Sequence, residues 1–247
     1  MKKLSISIRI YIGLVIVLSL LAAINIFLYQ GDFIPLQELP APKYVLALAN
    51  AAIMLILYGG LGLIGITLSR KLGFADIWDP ALSNRQRYLT PALIGSGIGI
   101  FFIMADAVLS RFHSLGPLPH PPFPASVVAS AVAGIGEELI FRLFFISFWV
   151  WLLSFMIFKK RWQNRIFWIT TVFSALGFAA GHIPSVMFLH GLNSIDEIPL
   201  ILLAEIVLLN GTLSLFAAYH FRKYGFLACV GIHFWTDVIW HVVWGLI

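Results

Sequence analysis

Seven apolar runs leave this chain little choice of fold. They lie at roughly 8–29, 44–68, 89–109, 125–158, 166–189, 199–221 and 226–247. Each reaches the about 20 residues that a helix needs to cross a hydrocarbon core. Backbone N–H and C=O groups find no water in lipid, so each run has to satisfy its own hydrogen bonds as a helix. The expected fold is all-α: a polytopic integral membrane protein of about seven transmembrane helices. Composition agrees. The 247 residues are 60% hydrophobic and 11% charged, where a soluble domain carries about 25% charged residues. The first run follows Met1-Lys2-Lys3 without a small-x-small cleavage site and reads as a retained span. The fourth is too long for one upright crossing, so it is expected to tilt, break or run out along the interface. A single cysteine, Cys229, excludes a disulfide framework and a cysteine metal cluster. In apolar surroundings it reads as packing.

The net charge of +5 is not a nucleic-acid signature, because the basic residues sit between the spans. Lys2, Lys3, Arg9, Arg70, Lys71, Arg85, Arg87, Lys159, Lys160, Arg161, Arg165, Arg222 and Lys223 share one side. Lys43 and Arg111 are on the other, and Arg142 lies inside a span. Such asymmetry marks the cytoplasmic side and places the N-terminus there, with a prokaryotic plasma membrane as the expected location. Ser114–Pro124 is proline-rich and reads as a non-cytoplasmic loop. Gly95 and Gly99 form a GxxxG pair, and Gly59, Gly60, Gly62 and Gly65 line the second span. Both patterns read as close helix packing.

Ionisable residues within the spans are few: Asp106, Glu137, Glu138, Arg142, His182, Glu205, His233, Asp237 and His241. Asp106 lies near a span end and is expected at the interface. A charge at the centre of a membrane helix costs about 2.5–3.5 kcal/mol even on lenient insertion scales, so the others need partners or a task. Glu138 and Arg142, four apart with the acid first, form a favourable helical ion pair. Glu137 points about 100° away from Glu138. One reading makes all three a structural ion cluster. The sharper one leaves Glu137 as a desolvated carboxylate poised for general-base work. His182 is either a helix–helix hydrogen bonder or part of the chemistry. His233 and Asp237 are four apart, and His241 continues their stripe, which is either an intrahelical hydrogen bond or a polar face on a cavity. Polar groups on three spans must face one another or water. Together they make a base, a proton shuttle and hydrogen-bonding groups.

The ordered trio Glu-Glu-x-x-x-Arg at 137–142, Phe-x-x-x-His at 178–182 and His-x-x-x-Asp at 233–237 resembles the CAAX prenyl proteases and bacteriocin-processing enzymes. This is the Abi, or type II CAAX endopeptidase, family. The resemblance spans about 125–244. It departs at Leu143, where members usually carry Gly, and in a long connection through 159–165. It divides the chain into an N-terminal three-span region, 1–124, and a protease core, 125–247. It implies a glutamate-dependent, metal-independent intramembrane endopeptidase. Glu137 would activate water with His182 sharing the task. His233 and Asp237 would stabilise the oxyanion or orient substrate, and Glu138 and Arg142 would support the site. The implied partners are a peptide or prenylated-peptide substrate and the bilayer, with no nucleic acid.

No cofactor is expected. The rival mechanism is zinc held by Glu, two His and Asp with an open position for water, though no His-Glu-x-x-His signature is present. Three functions compete: a protease cutting near the cytoplasmic leaflet, a non-catalytic relative serving as immunity factor or scaffold, and a transporter or proton relay. The absence of an inverted repeat and of broken-helix pairs disfavours the last.

Overall fold

The computed structural model describes residues 4–31 and 40–247, so Lys2 and Lys3 of the charge tally lie outside it. All regular structure among the described residues is helical. Seven helices are long and apolar enough to cross a membrane: α1 Ile6–Asn25, α2 Lys43–Lys71, α3 Arg85–Phe112, α4 Ala125–Ile157, α5 Gln163–His190, α6 Leu200–Tyr224 and α7 Phe226–Leu246. The fourth does not break. It continues for 33 residues, with wide π turns at Leu139–Ile146 and Trp151–Ile157. Large apolar side chains such as Ile56, Leu93, Phe173 and Leu208 point outward. This is the expected surface of a bundle whose solvent is lipid.

The last helix is the axis of the bundle. α7 packs against α3, α4 and α6; α5 lies on α6 and α4, while α1 and α2 cover the remaining side of α4. Missing side chains make these approaches possible. A Cβ on Gly95 would overlap the Ile232 carbonyl, and one on Gly99 would come within 2.8 Å of the Thr236 carbonyl. A Cβ on Gly134 would lie 3.1 Å from the Phe234 backbone nitrogen. Thr236 Oγ1, itself buried, donates to the Gly95 carbonyl at 3.1 Å. The GxxxG expectation therefore holds: α3 rests on the backbone of α7. Gly65 plays the same part between α2 and α4, where its missing Cβ makes room for the Leu143 carbonyl and side chain. The bulk of Leu143, a departure from the family pattern, is met by a glycine on the neighbouring helix. Cys229 is fully buried and packs as expected.

The loops carrying the basic residues meet at one end of the bundle. Gln163 Nε2 donates to the Leu72 carbonyl at 2.7 Å, Ala75 N to the Arg222 carbonyl at 3.1 Å, and Trp78 N to Ser7 Oγ at 3.1 Å. The 72–84 loop folds into this end as a plug. Phe74 is edge-on to Phe167 and Phe221, and Leu72 and Ile77 are buried in the same cluster. Gly225, at φ +82°, adopts a left-handed conformation at the α6–α7 junction, and a Cβ there would overlap the Asp76 carbonyl. The plug thus covers the start of α7. The Ser114–Pro124 stretch is a loop at the opposite end, as expected.

Candidate active site

Glu138 faces two charged or polar partners on two helices. Its side chain is fully buried, with Oε2 3.2 Å from Arg142 Nε and Oε1 2.9 Å from His233 Nδ1. The helical pair expected from spacing is present, but it is not self-contained: Glu138 also fixes the ring on α7. The Arg142 guanidinium lies 4.8 Å from the ring centroid of Phe178 on α5, and none of its nitrogens, Nε included, makes a hydrogen bond, so its link to Glu138 is an ion pair alone. A desolvated cation gains about 2 kcal/mol from such a ring face. Phe178 also stands edge-on to Phe141, His182 and His233. It is the wall that holds the motif residues of α4, α5 and α7 together.

His233 sits among three carboxylates. With Nδ1 given to Glu138, its Nε2 lies 3.5 Å from Asp237 Oδ2 and 3.7 Å from Glu137 Oε2. These two separations are ionic contacts rather than full hydrogen bonds. His233 and Asp237 do face the same way across a helical turn.

Adjacent in sequence, Glu137 and Glu138 differ in exposure. The Glu138 side chain has no accessible surface, whereas that of Glu137 is 36% accessible. It opens onto a cavity of about 450 Å³ that His182, His233, Asp237 and His241 also line. His182 Nδ1 lies 2.8 Å from the Phe178 carbonyl. A carbonyl only accepts, so Nδ1 must donate, and the neutral ring carries its lone pair on Nε2. The four residues assigned to chemistry share one cavity, on which Glu138 and Arg142 do not open.

Several features were not legible beforehand. Asp106 is not interfacial. It is 1% exposed because the proline-rich loop folds back over it, and its Oδ1 accepts from Leu118 N at 3.0 Å. Glu205 is fully buried with Oε2 3.6 Å from Nε2 of His113, the residue just before that loop, a separation too long for a hydrogen bond. His120 of the loop reaches His241, Nδ1 to Nδ1, at 3.1 Å. Burial holds the His120 imidazole below its ordinary value, with the charge of Asp106 pulling the other way. Asn210, half-buried on α6, lines the cavity and uses one amide hydrogen on the Ile206 carbonyl at 2.9 Å. An uncharged amide in an apolar run attracts no attention by charge; its spacing from Ile206 and Leu213 on the inward face was the available signal.

The model of the type II CAAX prenyl endopeptidase Rce1-like family matches residues 119–239. That stretch belongs to the type II CAAX prenyl endopeptidase family. All three motifs fall within the match, which ends two residues after Asp237. The family is one of proteases, and a peptide substrate in a lipid setting follows at that level. Neither a curated protein nor a solved structure matches the chain. Among the described residues, no three His, Cys, Asp or Glu side chains are grouped as ligands for a metal ion.

Proposed function

We propose that the protein is an intramembrane endopeptidase whose nucleophile is a water molecule activated by Glu137 and His182. One observation carries this reading. Of two neighbouring glutamates, one is committed to Arg142 and His233, while the other opens onto a cavity with a histidine whose Nε2 is free to accept a proton. In the step proposed, Glu137 takes a proton from water as the water oxygen bonds to the scissile carbonyl carbon. The C–N bond then breaks and the proton passes to the leaving amine. A positioned general base contributes about 10²–10⁴-fold to such a reaction.

His233 orients its Nε2 toward the reacting carbonyl, held from behind by Glu138. Asp237, when ionised, accepts only, so it acts by orienting His233 rather than by donating to an oxyanion. Two of the polar groups lining the cavity are already engaged: Ser130 Oγ donates to the Ser126 carbonyl, and His241 faces His120. The second amide hydrogen of Asn210 is a donor for the developing oxyanion. The reaction is proposed to run without a metal. The test compares new N-termini in membranes of cells expressing wild type and Glu137→Gln at matched levels, with and without a chelator. Termini lost in Glu137→Gln and unaffected by chelation are expected. Termini unchanged in Glu137→Gln would leave a non-catalytic scaffold. Termini lost on chelation would restore the zinc mechanism.

A further inference from the structure

We infer that the cavity draws its peptide from the membrane face opposite the basic loops, the extracytoplasmic face, so that its substrate is an apolar segment presented there rather than a cytoplasmic tail. The word substrate rests on the hydrolytic reading above; the sidedness does not.

Two independent features fix the side. The first is charge. Of the fourteen Lys and Arg residues among the described residues, all but Lys43, Arg111 and the intramembrane Arg142 belong to the end capped by the 72–84 loop. An excess of this kind in short loops marks the cytoplasmic side. The second is the placement of the hollow. Glu137 lies about 18 Å along α4 from its Ala125 end, and His182 about 12 Å from the His190 end of α5, at 1.5 Å per residue. From there the cavity extends to Gln30 beyond α1, to Leu118, Pro119 and Pro121 between α3 and α4, and to Leu189 in the last turn of α5. All of these belong to the end away from the basic loops. No residue of the 72–84 loop, of the 158–162 connection or of the α6–α7 junction lines it. That end is instead filled by Phe74, Phe167, Phe221 and Phe226.

The cavity also has a side approach. Ser185 and Leu189 border both the cavity and a groove of about 250 Å³ completed by Pro184 and Phe188. Phe188 is 56% exposed on a membrane helix, so this groove faces lipid. A peptide lying in the extracytoplasmic leaflet reaches Glu137 through it without crossing water. The lining sets the class of peptide. It contains the carboxylates of Glu137 and Asp237 and, among the described residues, no Lys or Arg, so acidic side chains next to the scissile bond are repelled. Apolar ones fit the Phe102, Leu209 and Trp240 walls.

The test is thiol labelling, which needs no catalysis and so separates this inference from the proteolytic one. Cys229 is fully buried and gives no background. Single substitutions Ser185→Cys and Asn210→Cys report the groove and the cavity, and Ala81→Cys reports the basic end. Intact cells are treated with a membrane-impermeant sulfonated maleimide, then compared with permeabilised cells, in which Ala81→Cys shows that the protein is present and folded. Ser185→Cys or Asn210→Cys labelled in intact cells, with Ala81→Cys labelled only after permeabilisation, is the expected result. Labelling of Ala81→Cys in intact cells, or failure of both cavity cysteines to label until permeabilisation, overturns the inference.

Discussion

The two ends of this bundle are built from the same apolar helices and end up as opposites. At the basic end, a loop folds inward and closes the space between helices with aromatic rings: Phe74 against Phe167 and Phe221, with the Arg222 guanidinium 4.7 Å from the Phe167 ring. At the other end the connecting loop also folds inward, but it brings proline, histidine and backbone N–H groups rather than bulk. A cavity of about 450 Å³ is left between the helices. Glu137, His182, His233, Asp237 and His241 line that hollow, and Asp106 sits beneath the loop that roofs it. A packed end supplies rigidity and a hollow end supplies room. Glu138 lies where the two meet, tied to Arg142 on its own helix and to His233 across the interface.

This contrast makes the largest effect easy to name. Glu138→Ala should destabilise the protein most, because it strands the buried Arg142 and frees His233; breaking a buried pair costs about 3–5 kcal/mol. Thermal unfolding in detergent, followed by loss of monodisperse protein, measures it, and a small shift would mean that water solvates Arg142 after all. Phe74→Ala attacks the packed end and should cost about 3–5 kcal/mol by opening a cavity there, while leaving Ser185→Cys reactivity unchanged if the two ends are separable. Gly95→Ala should cost less, about 1–3 kcal/mol of overpacking, by pushing α3 off the Ile232 carbonyl. Its readout is the melting temperature.

The smallest effect is one of pH. The His120 imidazole is held below its ordinary value of 6.5 by burial, so the undocked loop binds a proton more readily than the docked one. Docking is therefore fully present above that value and weakens as pH falls through it. Protection of the Leu118 amide, its exchange rate relative to the intrinsic rate at the same pH, should fall below pH 6.5, and His120→Asn should remove that fall. Protection independent of pH in the wild-type chain would show that the loop is not held through His120.

What sequence could and could not say follows the same division. Spans, basic loops and the polar trio were legible because each is a local departure from apolar sequence: a length, a charge count or an i, i+4 spacing. Glu137, His182, His233 and Asp237 were found as separate polar points on three helices. Their common cavity needed the crossings of α3 and α4 over α7, which depend on Gly95, Gly99 and Gly134 meeting particular backbone atoms. Asp106 was misplaced for a related reason: its burial depends on a loop that returns, and a loop's path leaves no periodic mark. The second partner of Glu138 lies 95 positions away, so spacing along α4 showed the bond to Arg142 and was silent about the one to His233.

The division of labour between adjacent glutamates is the claim on which the rest depends, and one paired measurement tests it. Glu137→Gln and Glu138→Gln make the same change at neighbouring positions. Purified side by side, each is assayed for its melting temperature and for wild-type-specific new N-termini in membranes. The predicted result is a Glu137→Gln protein that melts like the wild type and yields none of those termini, beside a Glu138→Gln protein that melts far lower. A Glu137→Gln protein that melts like the wild type and still yields the full set of termini would contradict the account.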